Sequence, residues 1–190
     1  MRISPIAMFA FAIAATSQAA EPPAPSVQES RQIARTLAGE LKEALTAALA
    51  ESPDTAVAVC KERAPEIAAR LSARHGASVG RTALRVRNPD NAPEQWQRET
   101  LEDFQRRIAS GEDPAGIELW TAVRDGDVVE HRYMRPIVME GMCTVCHGES
   151  ISADVQRSIR EHYPEDAATG FRPGELRGAV YVVKEAPAMD

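Results

Sequence analysis

Apolar residues recur every four positions through the first third of the chain, as they do on one face of an α-helix. This repeat predicts a helix from Arg31, and its apolar stripe consists of Ile33, Leu37, Leu41, Leu45 and Leu49. A second helix is predicted after Ser52, which is a suitable N-cap, with Pro53 in its first turn. Pro65 should kink or restart this helix, and Gly76 should end it.

The rest of the chain mixes strand-like and helix-like patterns. The predicted elements are, in order, a strand over 81–87, a turn over 88–93, a helix over 93–110, strands over 117–124 and 128–138, a short helix near 151–159 and a strand over 176–183. Asp125-Gly126 between two strand-like runs is a strong hairpin signal. Helices that precede several antiparallel strands, with further helices inserted, predict an α+β domain.

Composition narrows the class of protein. The chain has 190 residues, which is typical of one domain, and its formal net charge is −6. A mildly acidic chain does not have the basic patch that nucleic-acid binding requires, so we expect no nucleic-acid partner. No segment after the N-terminal one is apolar enough to span a membrane, so no span is expected in the mature chain.

The N-terminus has the pattern of a secretory signal peptide over residues 1–19. Arg2 supplies the positive charge, residues 6–15 form a short apolar run, and small residues lead to a cleavage site near Ala19 and Ala20. We therefore expect a periplasmic protein. Residues 20–29 are rich in proline, alanine and serine and predict a flexible linker, which leaves residues 30–190 as the folded domain.

The candidate chemistry centres on the C-x-x-C-H motif formed by Cys143, Cys146 and His147. This motif is the attachment signature of a c-type haem. Two thiols at this spacing can reach two vinyl groups on one edge of the porphyrin, and the adjacent histidine then lies under the iron. A redox dithiol, half of a zinc site or a disulfide would also use two such cysteines. The adjacent histidine and the predicted export favour one covalently bound haem c.

Cys60 is the third cysteine, and its role is open from the residues alone. Its position on a predicted apolar helix face favours a buried thiol that packs as a small hydrophobic side chain. The same face could instead form the haem wall, where a thiolate could be the sixth ligand of the iron. The other candidates for that ligand are Met134, Met139, Met142, His75, His131 and His162, and spacing favours none of them.

Arginines are expected beside a haem, because guanidinium groups pair with its anionic propionates. Arg85, Arg87 and Arg135 are the candidates, although each could equally be a solvated arginine on a strand. The Arg87-Asn88-Pro89 segment could also be structural and hold strand to helix through bonds between side chain and backbone.

Several separated motifs resemble, in order, a family of exported c-type haem proteins with a PAS-like fold, related to sensor domains of membrane histidine kinases. The matching segments cover residues 59–68, 87–93, 133–136, 143–148, 163–171 and 176–178. The resemblance implies a PAS-like antiparallel sheet with helices at its side. It also implies that His147 is one axial ligand and Cys60 the other, which reverses the preference from periodicity.

These observations lead to ranked expectations of function. The first is a single-haem c-type cytochrome in electron transfer or redox sensing, because two strong ligands leave no open position for substrate chemistry. The alternative is a sensor of NO or CO in which Cys60 leaves the iron on reduction. A peroxidase-like enzyme ranks last, since only His75 and His131 could act as its acid or base. The expected partner is an unknown redox protein, and the N-terminal helices could form a homodimer.

Overall fold

A computed structural model describes residues 26–188. The predicted signal peptide and most of the predicted linker therefore lie outside the described residues. The first helix, α1, spans Val27–Glu51 and begins four residues before the predicted start. It begins there because the Ser26 side chain caps it by accepting a hydrogen bond of 3.1 Å from the backbone N–H of Glu29. The last three residues of the predicted linker are thus helical.

The second helix, α2, spans Pro53–His75 with both predicted caps in place. The Ser52 side chain accepts from the backbone N–H of Thr55, and Gly76 ends the helix in the left-handed conformation at a φ of 56°. Pro65 does not divide the helix. Its ring is exposed, while Ala64 and Ile67 on either side of it are buried and keep this turn packed on the domain.

Four antiparallel strands form one sheet in the order β1-β4-β3-β2, with β1 at Ser78–Thr82, β2 at Leu119–Asp125, β3 at Val128–Val138 and β4 at Leu176–Pro187. The predicted hairpin is confirmed: β2 and β3 pair directly, and Gly126 between them adopts a φ of 59°. The strand predicted at 81–87 is wrong in its position. The ladder with β4 runs from Ser78 to Thr82, and the chain then leaves the sheet, which lets Arg87 reach a buried carboxylate.

The remaining helices are α3 at Gln95–Ala109, α4 at Thr144–His147 and α5 at Ala153–His162. Short 3-10 turns lie at Pro89–Asn91, Pro114–Gly116 and Gly141–Cys143. Within the turn after Arg87, the Asn88 side chain accepts a hydrogen bond from the backbone N–H of Asp90. Within the described residues, no helix is long and apolar enough to cross a membrane.

Helices cover both faces of the sheet. The stripe of α1 and the buried side of α2 pack on one face, against Tyr133 and Val180. Helix α3 packs on the other face, against Met134 and Ala179. Neighbouring residues on β3 and β4 therefore point to opposite layers, as the pleat of a strand requires. The α+β class with an antiparallel sheet is confirmed.

Candidate functional site

A pocket lies between α2, the end of β1, the start of β4 and the C-x-x-C-H segment. Its volume, including the space at its opening to solvent, is about 800 Å³. Cys60 lines it from α2, while Cys143 and His147 line it from the motif. Residues more than eighty positions apart in the sequence thus share one cavity. All three cysteines of the chain are free thiols, so no disulfide occupies the motif.

The motif itself folds as a 3-10 turn followed by the single helical turn of α4. Cys143 and Cys146 are three residues apart and so lie on neighbouring positions of one helical face. Cys143 packs beside Met139 and Phe171, whereas Cys146 packs beside Val57 and its cluster. The two thiols therefore border two different apolar clusters. Cys143 lines the pocket, whereas Cys146 is not among the described residues that line it.

The imidazole of His147 has a defined orientation. Its Nδ1 lies 2.6 Å from the carbonyl oxygen of Ala168, and because a carbonyl can only accept, Nδ1 carries the proton. The Nε2 atom is then the free donor of an electron pair. Burial, with help from the charges of Arg177 and Arg87, holds the pKa of His147 well below its usual value. The ring is therefore neutral, as a metal ligand must be.

The loop that follows α5 holds the motif by its backbone. The N–H of Phe171 donates to the carbonyl of His147 at 2.9 Å, and the N–H of Gly170 donates to the carbonyl of Gly148 at 2.9 Å. The Phe171 ring also meets the His147 ring edge-on, with 6.5 Å between the centroids. His147 is therefore held by hydrogen bonds of the backbone as well as by contacts of its side chain.

A buried ion pair supports the same segment. Arg87 and Asp166 are almost fully buried, and two hydrogen bonds of 3.1 Å join the guanidinium to both carboxylate oxygens. Arg87 also donates to the carbonyl of Cys146 at 2.6 Å, and more weakly to that of Ala168 at 3.3 Å. The carbonyl of Ala168 is the one that orients His147. Arg87 therefore contacts both the motif and the loop residue that orients its histidine.

Cys60 is half-buried, and its neighbours one helical turn away, Val57 and Ala64, are buried. Burial is the main cause that raises the pKa of the Cys146 thiol; the charge of Arg87 opposes this shift, and the charge of Cys60 adds to it. The periodicity prediction of a small buried side chain and the ligand hypothesis are both compatible with this position.

The other candidates for a sixth ligand lie elsewhere. Met134 and Met139 are buried in separate apolar clusters, and His131 stacks on Trp120 with 5.5 Å between the ring centroids. Among the residues of the described chain that line the pocket, His147 is the only histidine, and no methionine is present.

The three predicted propionate arginines have different positions. Arg87 lines the pocket but is already bound to Asp166. Arg85 lies over the ring of Phe171, 4.1 Å from the ring centroid, and is not among the described residues that line the pocket. Arg135 lies on β3 near Glu118, whose pKa is lowered mainly by a hydrogen bond from Arg31 and also by Arg135.

Sequence reasoning missed two arginines that do line the pocket, Arg81 on β1 and Arg177 on β4. The segment 176–178 is one of those that carry the family resemblance, but the resemblance assigned no function to Arg177. Tyr163 also lines the pocket, and its burial raises its pKa to about 12.

Comparisons with known proteins agree with the motifs. The model of the Tll0287-like family matches residues 12–184. Among solved structures, the chain is similar to that of the cyanobacterial heme-protein Tll0287, with a TM-score of 0.56 and 28% sequence identity. That similarity covers 84% of this chain and 91% of the other. The search of curated proteins finds no match.

Proposed function

The chain belongs to the Tll0287-like family, and we propose that it is an exported protein with one covalently bound haem c that acts in electron transfer or redox sensing. In this proposal Cys143 and Cys146 form the thioethers, and His147 and Cys60 are the axial ligands. The observation that carries it is the meeting of Cys60, Cys143 and His147 in one pocket. The similarity to a structure described as a heme-protein supports the same cofactor.

The donor set fits this group. The pocket offers a neutral imidazole with a free Nε2, the Cys60 thiol on a different helix and the Cys143 thiol of the motif. The Cys146 thiol lies on α4 beside the Val57 cluster. It also has a buried guanidinium nitrogen, Nε of Arg177, without a hydrogen-bond partner among the described residues. An anionic macrocycle edge would supply that partner.

The protein's own residues would perform simple chemistry during assembly. Cys143 and Cys146 would hold the haem covalently: each thiol would add across a vinyl double bond, and its proton would move to the other vinyl carbon. No oxidant is needed for this addition. When bound, the haem supplies one-electron iron chemistry. Cys60 as an anionic thiolate would stabilise the ferric state and so lower the reduction potential.

The ligand hypothesis for Cys60 is tested by Cys60→Ala. We expect the low-spin ferric EPR signal to be replaced by a high-spin one and the reduction potential to rise, because the thiolate no longer stabilises the ferric iron. Val59→Ala, one residue away on α2, is the matched control and should keep the parent spectrum. If the ferric spectrum of Cys60→Ala matched that of the parent, Cys60 would not be a ligand.

A second candidate function, sensing of NO or CO, is favoured by one feature of α2. Pro65 has no N–H to donate to the carbonyl of Lys61, so the helix lacks a hydrogen bond one turn after Cys60. This weak point would help Cys60 to move when its thiolate is protonated. Rapid CO binding to the reduced protein, measured by stopped-flow absorbance, would support release of Cys60. If CO binding took many minutes, Cys60 would stay on the iron, and the result would contradict gas sensing and favour electron transfer.

We propose no enzymatic turnover, because neither His75 nor His131 lies among the residues that line the pocket. Periplasmic location, a redox partner protein and a homodimer through the N-terminal helices remain predictions. The apolar stripe of α1 packs on the domain's own sheet through Ile33, Leu37 and Leu41. A dimer would therefore have to use other faces of α1.

A further inference from the structure

The pocket wall carries an excess of positive charge. Arg81, Arg87 and Arg177 all line it. Asp166 is bound to Arg87 through both carboxylate oxygens. Over residues 26–188, Arg81 and Arg177 form no ion pair with a carboxylate. Two guanidinium groups thus face the pocket without a counter-charge from the described chain.

A β-bulge directs Arg177 to this position. Along the β3–β4 ladder, Ile137 pairs with Gly178 but Val138 pairs with Leu176, so Arg177 is the extra residue. A bulge turns the side chain of its extra residue out of the regular alternation, and bulges are common beside binding sites. The Arg177 guanidinium donates from one terminal nitrogen to the carbonyl of Arg85 at 3.1 Å. Its Nε is buried and has no partner in the described part of the chain.

Close packing of β4 on the end of β1 keeps the arginines near one another. A Cβ atom on Gly178 would lie 2.5 Å from the carbonyl oxygen of Thr82, so only glycine allows this approach. Burial, followed by the charges of Arg87 and Arg81, lowers the pKa of Arg177 to about 10. The mutual repulsion of these cations is unfavourable, and an anion bound between them would offset it.

We propose that Arg81 and Arg177 bind the two propionate carboxylates of the haem, while Arg87 stays bound to Asp166. This inference rests on the proposed haem function and deepens it. The charges balance, since two unpaired guanidinium groups meet two carboxylates. The assignment differs from the sequence expectation: Arg177 lines the pocket while lying over the Phe171 ring, whereas Arg85 is not among the described residues that line the pocket, and Arg135 lies near Glu118.

The test compares Arg81→Gln, Arg177→Gln and Arg177→Lys of the full, haem-loaded protein with the parent. Arg35→Gln, which removes an exposed arginine of α1, is the matched control. The readouts are the propionate bending modes in the resonance Raman spectrum and the midpoint potential. A pyridine haemochrome spectrum measures the haem content of every sample.

Both glutamine variants should shift a propionate mode. Each should also lower the ratio of reduced to oxidised protein at a fixed potential by roughly tenfold, because loss of a nearby cation disfavours the reduced, more negative haem. Arg177→Lys should shift the mode, since an ammonium cannot bind a carboxylate through two nitrogens, but should keep the ratio near that of the parent. Arg35→Gln should change neither readout.

The inference is overturned if Arg81→Gln and Arg177→Gln both match Arg35→Gln in mode and midpoint. A parent that binds haem would leave the proposed function standing in that case. A parent without haem in the haemochrome spectrum would instead refute the proposed function itself. Should Arg177→Gln fail to accumulate, Arg81→Gln and Arg177→Lys carry the same comparison.

Discussion

A variant with both Cys143→Ser and Cys146→Ser is expected to carry no covalently bound haem after export in a host that matures c-type cytochromes. A serine hydroxyl does not add to a vinyl group under conditions where a thiol does, because the thiolate is by far the stronger nucleophile. The measurement is haem staining of the denatured protein on a gel, together with extraction by acidified ketone. Essentially all staining should be lost.

Single variants and a control separate attachment from ligation. Cys143→Ser and Cys146→Ser alone should each keep one thioether, so the pyridine haemochrome band moves to longer wavelength because one vinyl group stays conjugated. Cys60→Ser should stain as strongly as the parent, since Cys60 takes no part in attachment. Covalent staining of the double variant would contradict the assignment of the motif.

Asp166→Ala is expected to destabilise the fold by about 3–5 kcal/mol, because it leaves the buried guanidinium of Arg87 without its counter-charge. The arginine is 6% and the aspartate 8% exposed, so water cannot replace the lost bonds. The backbone N–H of Ala168 loses a partner too, since it donates to Asp166 at 2.9 Å. The measurement is the free energy of unfolding from denaturant titration followed by circular dichroism.

Asp154→Ala is the matched control, because this aspartate also pairs with an arginine, Arg157, but its side chain is 82% exposed. We expect that change to cost no more than about 0.5 kcal/mol. Asp166→Asn should lie between the two, since it removes the charge and keeps much of the shape. Equal stabilities of Asp166→Ala and Asp154→Ala would show that the buried pair contributes little.

Capping residues in the sequence correctly predicted where α2 begins and ends. Ser52 and Gly76 bound α2 as predicted, because a side-chain cap and a left-handed glycine act within one turn of the chain. Pro65 did not break that helix, since packing of Ala64 and Ile67 outweighs one lost hydrogen bond. Whether packing compensates for the hydrogen bond lost at a proline cannot be predicted from the sequence alone.

The strand at β1 illustrates a different limit. Alternation at 81–87 resembled a strand, yet the paired segment is Ser78–Thr82. Register is set by the partner strand, which here is β4, almost one hundred residues later. After Thr82 the chain leaves the sheet, and there Arg87 pairs with Asp166 while Arg85 lies over the ring of Phe171.

By itself the sequence predicted the attachment chemistry, because the spacing of Cys143, Cys146 and His147 is a property of five consecutive residues. It also determined the α+β class, through periodicity and turn residues. The tertiary structure decided which residues share the pocket with that motif. It placed Cys60 there by packing α2 beside α4 and α5, and it placed Arg177 there through a bulge in the β3–β4 pairing. Such contacts depend on the register and packing of distant segments, for which no local pattern of residues is sufficient.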